Sequence, residues 1–162
     1  MLTALLLMLA VQDPATDAAC TNVRPAIPAA LSGWSQQTPV TAGTKSGDGA
    51  TLSIGQATNV SLHRGSTLTL SPAPAKAAAA DSYGGTLTLS VAQAGTYRVA
   101  LGGGAWIDLL LGGKAIASVA HDHGPKCSGI AKIVDFKLDA GTYVIQLSGA
   151  KSNAIAAMVV KA

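Results

Sequence analysis

The sequence predicts an all-β chain folded as an antiparallel β-sandwich of eight or nine strands with a jelly-roll-like arrangement. Three observations carry this prediction. From Thr51 onward, apolar residues alternate with Ser, Thr and charged residues in short runs spaced about ten residues apart, the period-2 pattern of strands with one buried face. No segment sustains a 3.6-residue apolar period over helical length. A glycine turn feeding a tyrosine-bearing strand occurs twice, at Ala94-Gly95-Thr96-Tyr97-Arg98-Val99-Ala100-Leu101 and at Ala140-Gly141-Thr142-Tyr143-Val144-Ile145-Gln146-Leu147.

Taken in order, residues 1–19 read as a leader. The apolar run Met1–Ala10 has the length of a signal-peptide hydrophobic region and is too short to span a bilayer, so a periplasmic or extracellular location is expected. Residues 20–50 read as a Pro/Gly-rich N-terminal arm in which Pro25 and Pro28 hold the backbone extended and exclude helix, with Trp34 as its anchor. Residues 51–162 form the sandwich. Leu52/Ile54, Val60/Leu62, Leu68/Leu70 and Leu87/Leu89/Val91 each mark a strand. Ala75–Asp81 follows Pro72 and Pro74 and reads as a loop. In both copies of the repeat the Tyr, the aliphatic residue and the Leu share one face, while Arg98 or Gln146 points to the other. Tyr97 and Tyr143 are expected to bond a neighbouring backbone through their hydroxyls at strand corners. Trp106–Leu111, a Gly112-Gly113 hairpin turn, Lys114–Ala120, Val134–Leu138 and Ala154–Lys161 complete the series.

Composition narrows the function. Apolar residues make up 49% of the 162, but 31 residues are Ala, 18 are Gly and only six are aromatic, so the core is built from small side chains. Glutamate is absent and all eight carboxylates are Asp, which excludes a Glu base or nucleophile and the His-Glu-x-x-His metalloprotease helix. The eleven basic residues are scattered, with a net charge of +3, leaving no track for phosphates and no nucleic-acid partner. No stretch is long and apolar enough for a transmembrane helix. Gly102-Gly103-Gly104 lacks dinucleotide-loop spacing, and Gly112-Gly113-Lys114-Ala115 lacks the Ser or Thr of a P-loop.

The candidate chemistry lies in a few residues. In an oxidising compartment the only two cysteines, Cys20 and Cys127, are expected to form one disulfide. Cys20 after Ala18-Ala19 also fits a lipid-attachment cysteine. On an extended segment His121 and His123 share a face and can reach one divalent ion. With a free Cys127 they make a His2Cys set suited to zinc or copper, with Asp122 beside them. The disulfide and that set exclude each other, because both use the Cys127 sulfur. The competing reading leaves His121 and His123 as solvated residues of a Gly-Pro loop. Trp34, Tyr83 and Trp106 are candidate stacking residues for a sugar or peptide, weighed against anchoring roles in the core.

The string Phe136-x-Leu138-x-Ala140-Gly141-Thr142-Tyr143-x-Ile145-x-Leu147-Ser148-Gly149 resembles small exported bacterial β-sandwich modules of the pre-peptidase C-terminal type. The resemblance implies an envelope-associated binding or accessory module without catalysis or resident cofactor, whose partner is an envelope protein or a small ligand. Gly104-Ala105-Trp106-Ile107-Asp108 with His121-Asp122-His123-Gly124-Pro125-Lys126-Cys127-Ser128-Gly129-Ile130 is similar to a group of short bacterial proteins, some of which carry a homogentisate 1,2-dioxygenase label. That label implies iron(II) held by two His and a carboxylate, and opening of an aromatic ring with O2. In this chain the place of the cupin Glu is taken by Cys127 and Ser128, so Asp108 or Asp135 would have to supply the carboxylate. The expectation is therefore a binding module, with a His121/His123 oxidoreductase as the first alternative and a structural partner offering a sheet edge as the second.

Overall fold

The structure, a computed structural model, describes residues 18–162. The leader reading falls outside the described residues except for Ala18 and Ala19, which open a 3-10 turn, Ala18–Cys20. The described chain contains twelve strands: β1 Thr38–Thr41, β2 Thr51–Leu52, β3 Ala57–Ser61, β4 His63–Arg64, β5 Tyr83–Val91, β6 Gly95–Leu101, β7 Trp106–Leu111, β8 Lys114–Ile116, β9 Ser118–Asp122, β10 Lys132–Leu138, β11 Gly141–Ala150 and β12 Ala154–Lys161.

They form two packed sheets. Sheet A has the order β1-β3-β12-β6-β10-β9, and sheet B the order β2-β5-β11-β7-β8 with β4 also against β5. Four of the antiparallel pairs are nested: β3 with β12, β5 with β11, β6 with β10, and β7 with β8. First pairs with last, and inner strands close on inner strands, so the chain is one long hairpin rolled into two layers. That is the jelly-roll arrangement.

Several elements differ from expectation. The strands beyond eight or nine are short pieces at the margins, and two of them, β1 on β3 and β2 on β5, run parallel. Because β1 belongs to sheet A, the sandwich starts at Thr38 rather than Thr51. Leu68 and Leu70 do not form a strand: a 3-10 turn, Gly65–Thr67, leads into them and a single bridge joins Thr69 to Lys45. Their alternation is satisfied by laying two half-buried leucines against the sandwich instead of by ladder pairing. Ile54 turns outward at 39% exposure just after β2. The run Lys114–Ala120 splits, because the chain leaves sheet B after Ile116 and re-enters in sheet A as β9.

Two cores result. The main one lies between the sheets and holds Leu87 and Leu89 of β5, Tyr97, Val99 and Leu101 of β6, and Tyr143, Ile145 and Leu147 of β11. The second lies on the outer face of sheet A, where Leu31 and Trp34 of the arm pack with Ala100, Ile133, Met158 and Val160. Sheet A is thus buried on both faces, which explains why β12 reads as a nearly unbroken apolar run, Ile155–Val160. A Cys20–Cys127 disulfide ties the start of the arm to the β9–β10 loop. The repeat performs as its pattern predicts: the Tyr97 hydroxyl donates to the Gln93 carbonyl at 2.8 Å, and the Tyr143 hydroxyl to that of Asp139 at 2.9 Å. Arg98 points outward and makes a two-pronged pair with Asp135, both bonds 2.9 Å. Gln146, also facing outward, is covered by the segment 65–82, where its Nε2 donates to the Pro72 carbonyl.

Candidate functional site

The open flank of the sandwich follows from where β8 stops. It pairs only with Leu109–Leu111, so the first half of β7, Trp106–Asp108, has no neighbouring strand on that side. Across from it, β9 and β10 present the inner face of sheet A. Antiparallel partners share a face. The register therefore places His121 beside Val134 and Ser118 beside Phe136, on the face that Val134 and Phe136 direct into the main core. Lys132 lies in the same inward phase, two residues before Val134. Between these walls is a cleft of about 560 Å3, lined chiefly by Trp106, Ile107, Ile116, Val134 and Phe136, with Asp108, His121 and Lys132 as its charged or titratable members.

The polar groups are tightly arranged at one end. The Asp108 carboxylate is 8% exposed and uses both oxygens: Oδ1 accepts from the Trp106 indole N–H at 3.0 Å and Oδ2 from the Ala75 backbone N–H at 3.1 Å. That fixes the indole, which remains 38% exposed. Lys132 Nζ donates to the Ala105 carbonyl at 2.7 Å and lies 5.7 Å from the indole centroid; Lys76 Nζ, from the segment over sheet B, lies 5.8 Å from the same centroid. An aromatic face attracts such cations. The ion pairs among the described residues are Lys45–Asp48 and Arg98–Asp135, so neither Lys76 nor Lys132 has a carboxylate partner there. Burial, with the Lys76 charge as a second cause, holds the Lys132 ammonium below the ordinary lysine range. A smaller hollow of about 270 Å3 adjoins the cleft and shares Trp106 and Lys132 with it.

The other sequence candidates separate. Cys127 is bonded to Cys20 and leaves no thiolate for a His2Cys set, nor Cys20 for lipid attachment. Asp122 Oδ1 accepts from the His123 backbone N–H at 2.7 Å, and His123 Nδ1 lies 3.2 Å from the Ala131 carbonyl oxygen, past the end of β9. Of the two histidines, His121 lines the cleft and His123 does not. Among the described residues no three His, Cys or Asp side chains are grouped as a metal ion requires. Asp135 is held by Arg98 on the opposite face of β10, and Asp108 by the indole, so neither completes a carboxylate triad with the two histidines. The three candidate stacking residues fall in three places. Trp34 is 4% exposed in the second core. Tyr83 lies under the Arg64 guanidinium, 5.4 Å away, beside a hollow with Leu68 and Leu70. Trp106 alone stands at the cleft.

Lys132 and Lys76 are the site residues that sequence reasoning missed. Lys132 does carry a signal, since it occupies the inward phase of Lys132-Ile-Val134-Asp-Phe136-Lys-Leu138, where an apolar residue is expected. Lys76 carries none, because its position depends on how the segment 65–82 lies over sheet B. No protein-family model, no curated protein and no solved structure matches this chain.

Proposed function

We propose that this chain is an exported, non-catalytic binding or accessory module of the bacterial envelope that takes a small, mainly apolar ligand in the Trp106–Phe136 cleft. The observation that carries the reading is the cleft itself. Its volume of about 560 Å3 lies within the range of small-molecule sites, and its apolar walls with a few convergent polar groups match their usual lining. The disulfide fits an oxidising compartment, and among the described residues no helix is long and apolar enough to cross a membrane. Against catalysis, the His121 imidazole, unlike that of His123, has no hydrogen-bond partner among the described residues and so lacks the orienting group that general acid–base work uses.

The test is a fragment screen read by backbone amide chemical shifts. Hits should move the amides of Ile107, Ile116, Lys132 and Val134 and leave those of β1, at the far edge of sheet A, in place. Shifts gathered elsewhere, or none, would overturn the reading. Oxygen uptake with homogentisate and added iron(II) tests the oxidoreductase alternative: turnover abolished by His121→Ala would replace the proposal. A second reading, strand addition by a partner protein, is favoured by β9, an edge strand exposed along its whole length with Val119 at 59%. A partner-dependent gain of amide protection confined to Ser118–Asp122 would support it.

A further inference from the structure

We infer that the cleft selects an apolar organic carboxylate, its anionic head held by Lys132 and Lys76 beside Trp106 and its body laid along Ile107, Ile116, Val134 and Phe136. The inference rests on the proposed binding function and names its ligand class. Two ammonium groups are brought within 6 Å of one indole centroid, although like charges gathered in a partly dry site repel. The Asp108 carboxylate of the cleft forms no ion pair with either ammonium among the described residues; its oxygens accept from the indole and the Ala75 N–H instead. Lys132 spends one N–H on the Ala105 carbonyl and, as a three-donor ammonium, keeps two for a ligand. Lys132 lines the cleft and Lys76 the adjoining hollow that shares Trp106 and Lys132 with it, so positive charge gathers where the two meet, beside apolar walls whose low dielectric strengthens its field. A neutral ligand leaves that repulsion standing, and an anion removes it. A small hydrophilic anion leaves the apolar wall wet, so the complement is a carboxylate carrying an alkyl or aryl body.

Isothermal titration of the full chain with octanoate and 2-naphthoate, each against its neutral amide, provides the test, with acetate as the anion lacking a body. The carboxylates should bind at least tenfold more tightly than their amides and than acetate. Lys132→Met should weaken the carboxylates about tenfold, or about 1.4 kcal/mol, and leave the amides unchanged; Lys76→Ala should weaken them less, and Lys132→Arg should retain most of the affinity. Thermal melts of each variant show that it is folded. Equal binding of acid and amide, or no effect of Lys132→Met in a folded variant, overturns the charge selection while leaving the cleft a binding site. Acetate binding as tightly as octanoate overturns the role of the apolar wall. Failure of every probe to bind overturns this inference, and the fragment screen decides separately whether the cleft binds any small ligand.

Discussion

Replacing both cysteines isolates what the Cys20–Cys127 bond contributes. The bond closes a loop of 107 residues. Loop-closure entropy for that length is about 16 cal/mol/K, or about 4.8 kcal/mol at 25 °C removed from the unfolded chain. With a urea m-value of about 2 kcal/mol/M, the midpoint should fall by about 2 M in the Cys20→Ser/Cys127→Ser variant. The native fold should survive, because the arm is also held by the packing of Leu31 and Trp34 with Ala100, Met158 and Val160, which does not involve the bond. In a Trp106→Phe background, which leaves Trp34 as the single indole, Trp34 emission should therefore stay that of a buried indole until the global transition. The residue chosen at position 127 also matters. Cys127 has φ of 62°, in the left-handed region that costs a side-chain-bearing residue about 1 kcal/mol. Cys20→Ser/Cys127→Gly should thus recover part of the loss, since glycine adopts this conformation freely. Equilibrium urea unfolding followed by fluorescence and circular dichroism is the assay. A midpoint shift under 0.5 M would refute the entropic account. Separate transitions for Trp34 and the sheets would refute the claim that the arm is part of the cooperative unit.

Three further outcomes follow from local geometry. Gly49→Ala should prevent native folding, because a Cβ there would meet the Thr86 carbonyl oxygen of β5 far inside contact distance; a variant melting within a few degrees of wild type would contradict the close approach. Tyr143→Phe removes the hydroxyl that donates to the Asp139 carbonyl and accepts from the Asp139 N–H, and should cost about 1–2 kcal/mol in urea unfolding without changing the spectrum of the native state. Lys132 faces Lys76 from the covering segment, Asp108 from β7 and His121 from β9, and its folded-state pKa lies below the ordinary value of 10.5. Its protonated form therefore burdens the fold at neutral pH, and the burden lifts as pH climbs from the folded-state value toward 10.5. Relative to Lys132→Met, wild type should gain stability across that alkaline window, and a difference independent of pH would show that the ammonium is fully solvated.

The legible part of the site is the part written in strand phase. Val134 and Phe136 alternate with Asp135 and Lys137, so their inward direction follows from period 2, and His121 is correctly placed on an extended segment. The pairing of His121 with His123 was not legible. It assumes that the strand continues, whereas β9 ends at Asp122 and His123 turns to the Ala131 carbonyl. Trp34 and Trp106 look alike in sequence as single tryptophans near glycines. One is buried by the arm and the other is left at an open flank, a difference set by which strand lies over each.

What the sequence determines by itself is everything governed by neighbours a few residues away. This includes the alternation along β5, β6, β10 and β11, the tyrosine corners four residues from their carbonyl partners, and the Gly112-Gly113 turn with both residues at positive φ. The disulfide joins residues 107 apart; its one possible pairing was legible from a count of two cysteines, while the fold decided that the bond, and not a metal set, takes the Cys127 sulfur. Tertiary structure alone decides that the hairpin rolls into nested pairs, that the arm covers the outer face of sheet A, and that β8 stops short and exposes Trp106–Asp108. The physical reason is that these features depend on contacts between residues far apart in the chain. Their stability comes from apolar area and charge brought together in space, and no local pattern records which distant surface supplies the partner.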